Sequence, residues 1–178
     1  DELRGASSED ERQRLAGQAL AEAGRLQSIF DALLRIARIE SGRHLTGMRR
    51  VDLTTLLHDA AELHTPDAEA HGQRIESRIA AGLDVEADPN LLFQAVSNLL
   101  ENAVKYGGGG AVITIRAGRT GDGIAIEVAD NGPGIAFDQR ERVTERFFRG
   151  PDTAGLPGTG LGLALVAAIV AAHKWRLE

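Results

Sequence analysis

The chain has 178 residues, 43% of them hydrophobic but only 4% aromatic, which suits one ordinary domain with a helical attachment, its core filled by Leu, Ile, Val and Ala. Acids outnumber bases, 26 against 20, for a formal charge of -6; this argues against a general nucleic-acid binder, yet allows a nucleotide whose phosphates are held by a metal and a few donors. There is no cysteine for a disulfide scaffold or a thiolate metal site, no apolar run reaches the length of a membrane span, and DELRGASSED does not read as a signal peptide.

SSEDERQRLAGQALAEAGRLQSIFDALLRIARIESG reads as one long helix, with Ser8 and Glu11 as a capping box at its start and Gly42 at its end. Leu15, Leu26, Phe30, Leu33 and Ala37 fall near one stripe, which Ile29, Leu34 and Ile36 broaden. Such a stripe needs a partner, either the chain's own domain or a second helix of a dimer or bundle. VDL is a short strand, and LTTLLHDAAELHTPDAEAHG a helix in which Pro66 marks a kink or an early stop. QRIESRIA and LDVEAD alternate like a strand pair turning at Gly82. DPNLLFQAVSNLLENAVKY is the strongest helix pattern, with Asp88 as its cap and Pro89 at its first position. AVITIRAG and GIAIEVAD are two alternating strands joined near Arg119 to Gly123. A loop-rich stretch from Asn131 to Gly158 follows, interrupted by RERVTERFF; TGLGLALVAAIVAAH is a final apolar helix, and KWRLE reads as the start of a strand. This order predicts an α/β fold, a two-layer sandwich with helices on one face of a mixed or mostly antiparallel sheet. The abrupt beginning and end suggest a fragment of a longer protein.

Three segments stand out chemically. Asn98, Asn102 and Lys105 share one helix face at spacings of four and three, and two amides in line with a lysine suggest oxygen ligands for a hard cation beside a charge for phosphate. A single asparagine there would signify only a bridge to nearby backbone. DNGPG, after the last alternating strand, puts Asp130 at the strand tip; every residue in it also forms turns. PGTGLGLAL starts a helix whose free N–H groups and dipole suit an anion, although glycines at helix starts are common.

Taken together in this order, NLLENAVKY, DNGPG and GTGLG resemble the N, G1 and G2 boxes of the sensor histidine kinase catalytic domain, within the wider gyrase, Hsp90 and MutL superfamily. RVTERFFRG, with Phe147 and Phe148, resembles the intervening F box, and LLRIARIESG resembles the end of the second helix of the dimerisation and phosphotransfer domain. The resemblance implies the Bergerat ATP-binding fold, with residues 1–42 as a partial dimeric helical bundle and 43–178 as a catalytic domain that continues beyond the final residue. It implies that Asn102 ligates Mg²⁺ with Asn98 in support, that Lys105 meets phosphate, and that Tyr106 lies near the nucleotide. It further implies that Asp130 accepts from the adenine amino group, with Gly132, Gly134, Ile135 and Phe148 shaping the pocket around it. Gly158, Thr159, Gly160, Leu161 and Gly162 then form the hinge and helix start by the phosphates. Gly107 to Gly110 turn the chain and are not a phosphate loop.

In the superfamily's ATPases the position matching Asn98 is typically a glutamate that activates water. An amide cannot take a proton at neutral pH, which favours phosphoryl transfer to an imidazole over hydrolysis, with Glu101 pointing off the face. The family's acceptor histidine box is not found: His58-Asp59 and His64-Thr65-Pro66 match it only in part, and His44, His71 and His173 read as surface or helix-end residues. The resemblance implies ATP and Mg²⁺ as ligands, a response regulator and a homodimeric parent as partners, and a cytoplasmic portion of a membrane-anchored sensor. A nucleotide-dependent interaction module and a superfamily ATPase are the alternatives. The stretch from Phe148 to Gly158 is expected to be a mobile lid when no nucleotide is bound.

Overall fold

A computed structural model of the chain describes residues 2–41, 47–151 and 158–178, with side chains from residue 11 onward. Its elements run α1 (Glu2–Glu40), β1 (Arg49–Asp52), α2 (Leu53–Ala70), β2 (Arg74–Ile79), β3 (Asp84–Ala87), α3 (Pro89–Tyr106), β4 (Val112–Thr120), β5 (Gly123–Ala129) and α4 (Gly162–Ala172). Helices α2 and α3 lie on one face of a mixed three-stranded sheet in the order β2-β4-β5, in which β2 and β4 are parallel and β4 and β5 antiparallel. The buried layer between them gathers Leu57, Ala60, Leu92, Val96, Leu100, Ile113 and Ile115, with Ile75, Ile79, Ile126 and Val128 packed against it. The opposite face of the sheet is laced with charge, Arg116 donating to Glu127 at 2.7 Å and Glu76 accepting from Arg74 and Arg78 at 3.1 and 3.2 Å. One apolar and one solvated face is the usual arrangement for sheets with antiparallel pairs.

Four expectations need correction. Helix α1 begins at Glu2, so the Ser8–Glu11 pair lies within it rather than at its start; a helix once formed extends at little cost per added residue. The strands flanking Gly82 are not a hairpin: β3 pairs with β1 in a separate two-stranded sheet, while β2 pairs with β4. Ala80 N–H continues the β2–β4 ladder to Ala117 O at 2.9 Å before the chain crosses at Gly82. Pro66 does not stop α2, which reaches Ala70. The carbonyl it deprives, on Glu62, is on an exposed residue where water can replace the lost donor, and the apolar stripe continues to Ala68. KWRLE forms no strand. Lys174 instead takes a left-handed conformation (φ 58°), and Trp175 N–H returns to Val170 O at 3.0 Å, closing the end of α4. Gly42 and His44 lie outside the described residues.

The stripe assigned to α1 divides. Ile36 and Ile39 are buried with Ile29, Ala32 and Leu33 packed beside them, against Leu91, Ala95, Leu161, Leu165 and Ile169. Leu15, Leu26, Phe30 and Leu34 remain exposed. Both internal helices are capped as the sequence dictates, Asp88 Oδ1 accepting from Asn90 and Leu91 N–H and Asp52 accepting from Thr55 N–H and Oγ1.

Two outcomes follow. Replacing Lys174 by glycine relieves a left-handed conformation that costs a side-chain residue about 1 kcal/mol, so Lys174→Gly should raise the thermal midpoint. The hydrogen bonds from Thr55 hold the Asp52 carboxyl below the usual aspartate range. Because its folded value is lowered, its contribution is complete above the unfolded value and disappears as pH falls through the folded one. Denaturation at stepped pH should therefore show a shallower acid loss for Asp52→Asn than for the parent.

Candidate functional site

Helix α3 turns two faces to apolar neighbours. Leu92, Val96, Leu100, Ala103 and Val104 enter the sheet-facing core, and Leu91 and Ala95 enter the second core with α4 and α1. Asn98, Asn102 and Lys105 are left half-buried on the strip between. Asn98 donates its Nδ2 to Gln94 O at 2.9 Å, which leaves Oδ1 free to face outward. The residue opposite is Gly162, the first of α4: a Cβ there would stand 3.2 Å from Asn98 Oδ1 and 3.7 Å from the Asn102 amide. The α4 N-cap, Leu161, makes no side-chain capping bond, so the first N–H groups of that helix are open to an anion beside the two amides.

Lys105 Nζ donates to Tyr106 Oη at 2.7 Å and lies 4.5 Å from the centre of its ring. A Cβ on Gly158 would fall on that ammonium, so the glycine turn before α4 runs directly over Lys105. Gly160, at φ 70°, packs against Phe147 and Phe148 with 2.8–2.9 Å between its Cβ position and their backbone, and its carbonyl accepts from Phe147 N–H at 2.9 Å. Phe147 is itself left-handed, at φ 64°. A strained non-glycine residue persists only where its surroundings over-determine it, and here the partner is the glycine turn. Thr159 and Gly160 are half-buried along this turn, and Leu161 anchors it in the second core.

At the other end, Gly132 N–H donates to Asp130 Oδ1 at 2.8 Å, and Asp130 is exposed. A Cβ on Gly132 would be 2.7 Å from Asp130 Oδ1, Gly107 Cα and Gly107 O, so the DNGPG turn sits against the end of α3. Gly134 and Ile135 follow on the exposed side of that turn. The structure thus brings Asn98, Asn102, Lys105, Tyr106, Gly158 and Gly162 together, sets Asp130 and Gly132 beside Gly107, and places Phe148 beside Gly160. Glu101 is exposed, off this face. Among the described residues, no three His, Cys, Asp or Glu could hold a metal ion, so a cation here would draw on amide oxygens. A separate open cleft of about 550 Å³, whose lining includes Arg142, Arg146 and Phe148, does not reach the amide face. Of the predicted lid, only Phe148 to Pro151 and Gly158 are described.

Two contributors were missed by the sequence reading. Asn131, inside DNGPG, accepts Val112 N–H through its Oδ1 at 2.7 Å and so fastens the turn to the start of β4. Arg146 donates to both carboxylate oxygens of Glu40 at 2.6 and 2.7 Å, tying the turn before Phe147 to the end of α1. Asn131 could have been found from its place between two expected site residues; nothing in the spacing of Glu40 and Arg146 connects them. His173 lies at a helix end as expected but is buried. Its Nδ1 lies 2.8 Å from Ile169 O, and its Nε2 accepts Asp88 N–H at 3.1 Å, joining the end of α4 to the start of α3.

The family model for histidine kinase-, DNA gyrase B- and HSP90-like ATPases matches residues 87–178, from the cap of α3 through α4. The chain belongs to this family. Its relatives include the sensor-like histidine kinase SenX3 of Mycobacterium tuberculosis, 36% identical over 162 residues, a match that covers 90% of this chain and 40% of SenX3. The sensor histidine kinase ZraS of Escherichia coli is 35% identical over 171 residues, covering 94% and 35%. The chain therefore spans well under half the length of these relatives. Among solved structures, full-length ShkA in complex with AMPPNP aligns at a TM-score of 0.76 and 34% identity, over 92% of this chain and 34% of ShkA. The mycobacterial sensor histidine kinase MprB aligns at 0.65 and 31%, over 71% and 82%. These matches identify a histidine kinase catalytic ATP-binding domain. No helix among the described residues is long and apolar enough to cross a membrane.

The glycine contacts give a direct test. Gly132→Ala forces a methyl group into backbone of Gly107, and overpacking of that kind costs about 1–3 kcal/mol. Gly109, with open space around its Cβ position, should accept alanine nearly silently. Urea denaturation of the two variants should separate them by at least the lower figure.

Proposed function

We propose that the chain is the ATP-binding core of a sensor histidine kinase, which transfers the γ-phosphoryl group of ATP to a histidine for relay to an aspartate of a response regulator. The observation that carries this reading is the uncapped start of α4 lying across the Asn98–Asn102 face, with Lys105 under Gly158. Free helix N–H groups, a lysine and two amide oxygens are what a triphosphate with a hard cation requires. Asn102, supported by Asn98, would ligate Mg²⁺, which supplies charge neutralisation at the phosphates. Lys105 and the Gly158–Gly162 turn, with Thr159, Gly160 and Leu161, would hold phosphate oxygens, and Tyr106 would orient the Lys105 ammonium through their hydrogen bond. Asp130, with one carboxylate oxygen engaged by Gly132, keeps the other for the adenine amino group, and Gly134, Ile135 and Phe148 would border the base.

The amide at Asn98 favours transfer over hydrolysis, because it cannot accept a proton from water at neutral pH; Glu101, about 100° round the helix from Asn102, is poorly placed to substitute. All five histidines lie outside α1, so in this reading the acceptor is supplied from beyond these residues. Residues 1–42 would then be part of a dimerisation and phosphotransfer domain, its exposed Leu15, Leu26, Phe30 and Leu34 facing the rest of a homodimeric bundle. Residues 43–178 would be the catalytic domain. In this reading the chain would be a cytoplasmic portion of a membrane-anchored parent.

Calorimetric titration tests the site. The parent should bind ATP more tightly with magnesium than with EDTA, and Asn102→Ala should lose at least tenfold in magnesium while changing little in EDTA. Equal affinity of mutant and parent in magnesium would remove the assigned metal role.

A further inference from the structure

Gln73, just ahead of β2, is 6% exposed and belongs to neither core. Its Nε2 donates to Val104 O at 2.8 Å and to Gly108 O at 2.8 Å, using both amide hydrogens. These carbonyls flank the end of α3, where a helix leaves acceptors without partners of its own. Ala111 N–H also reaches Gly108 O at 3.3 Å, and Arg74 N–H reaches Ala111 O at 3.1 Å, so the entry to β2 is stitched to the glycine turn at two neighbouring positions. The same amide leaves its Oε1 buried without a partner. Native proteins seldom tolerate such an oxygen, and an apolar side chain would fill the space without that defect. What only an amide of this length offers here is the pair of donors.

The bridged segment bears on both ends of the site. Lys105 and Tyr106 stand between the two tethered carbonyls, and Gly107 is the backbone on which the Asp130–Gly132 turn rests. A shift of Gly107 by a few tenths of an ångström would be passed to the Asp130 carboxylate, because no side chain at Gly132 cushions the contact. We propose that Gln73 is a positioning residue for nucleotide recognition: by tying Val104 O to Gly108 O it fixes Gly107, and through Gly107 sets the Asp130–Gly132 turn that selects adenine, without itself touching the nucleotide. This rests on the ATP-binding reading above.

The test compares ATP and GTP affinities by calorimetry for the parent, Gln73→Met, Gln73→Asn and Val51→Ala, each well below its thermal midpoint. Methionine keeps the length without donors, asparagine keeps the donors but is one methylene too short to span both carbonyls, and Val51 is a core residue on β1 that serves as a stability control. Gln73→Met should lose about tenfold in ATP affinity and narrow the ATP-to-GTP ratio, Gln73→Asn should do the same to a smaller degree, and Val51→Ala should lower the midpoint while keeping both values. Should the methionine variant not fold, the asparagine variant is read by the same two quantities. Parent-like affinity and ratio in the folded Gln73 variants would overturn the inference alone, as would an equal loss in Val51→Ala. A parent that binds no ATP would overturn the underlying reading and this inference with it.

Discussion

Helix α3 is held on two sides at once, and the site depends on that. The sheet takes Leu92, Val96 and Leu100, while α4 and the end of α1 take Leu91 and Ala95. A helix with one buried face can roll on its contact; one wedged between two cores cannot without opening a cavity in one of them, and interiors pack too tightly for that to be cheap. The strip left between the cores is where Asn98, Asn102 and Lys105 stand. Their fixed orientation comes from the apolar residues around them, more than from any bond they make themselves.

Polar fastenings then refine what packing roughs out. Asp88 caps the start of α3 and gives its own N–H to the imidazole of His173 at the end of α4. At the opposite end, Asn131 and the glycine contacts bind the strand tips to the helix terminus. The left-handed backbone at Phe147 and at Lys174 lies on either side of α4, each closed by a main-chain bond. The helix that roofs the amides is thus delimited by two locally unfavourable conformations that its surroundings impose.

Much of this could be read from the chain alone, and the rest fails for identifiable reasons. Element order, the cap at Asp88, and the strands β4 and β5 are local in origin, written in periodicity and capping chemistry. The partition of strands between two sheets is not: Gly82 looks like a hairpin turn, but the partner of β2 comes from β4, beyond an intervening helix. The capping box in α1 had the right residues with nothing obliging the helix to begin there. The motif segments could be recognised together, yet nothing in their spacing says that Gly162 meets Asn98 across more than sixty residues. Gln73 was legible in principle, since it shares the inward phase of Ile75 and Ile79, and a polar residue at an inward position asks what it bonds.

The last turns of α1 have a mechanical consequence. Ile36 and Ile39 are buried in the same cluster as Leu161 and Leu165, and Glu40 grips Arg146. Peeling the arm away would re-expose two isoleucines at about 1.5–3 kcal/mol each, more than a surface ion pair contributes. The last turns of the long helix are therefore coupled to α4, the helix that roofs the amides: they cannot be lifted away without opening the core that the two share.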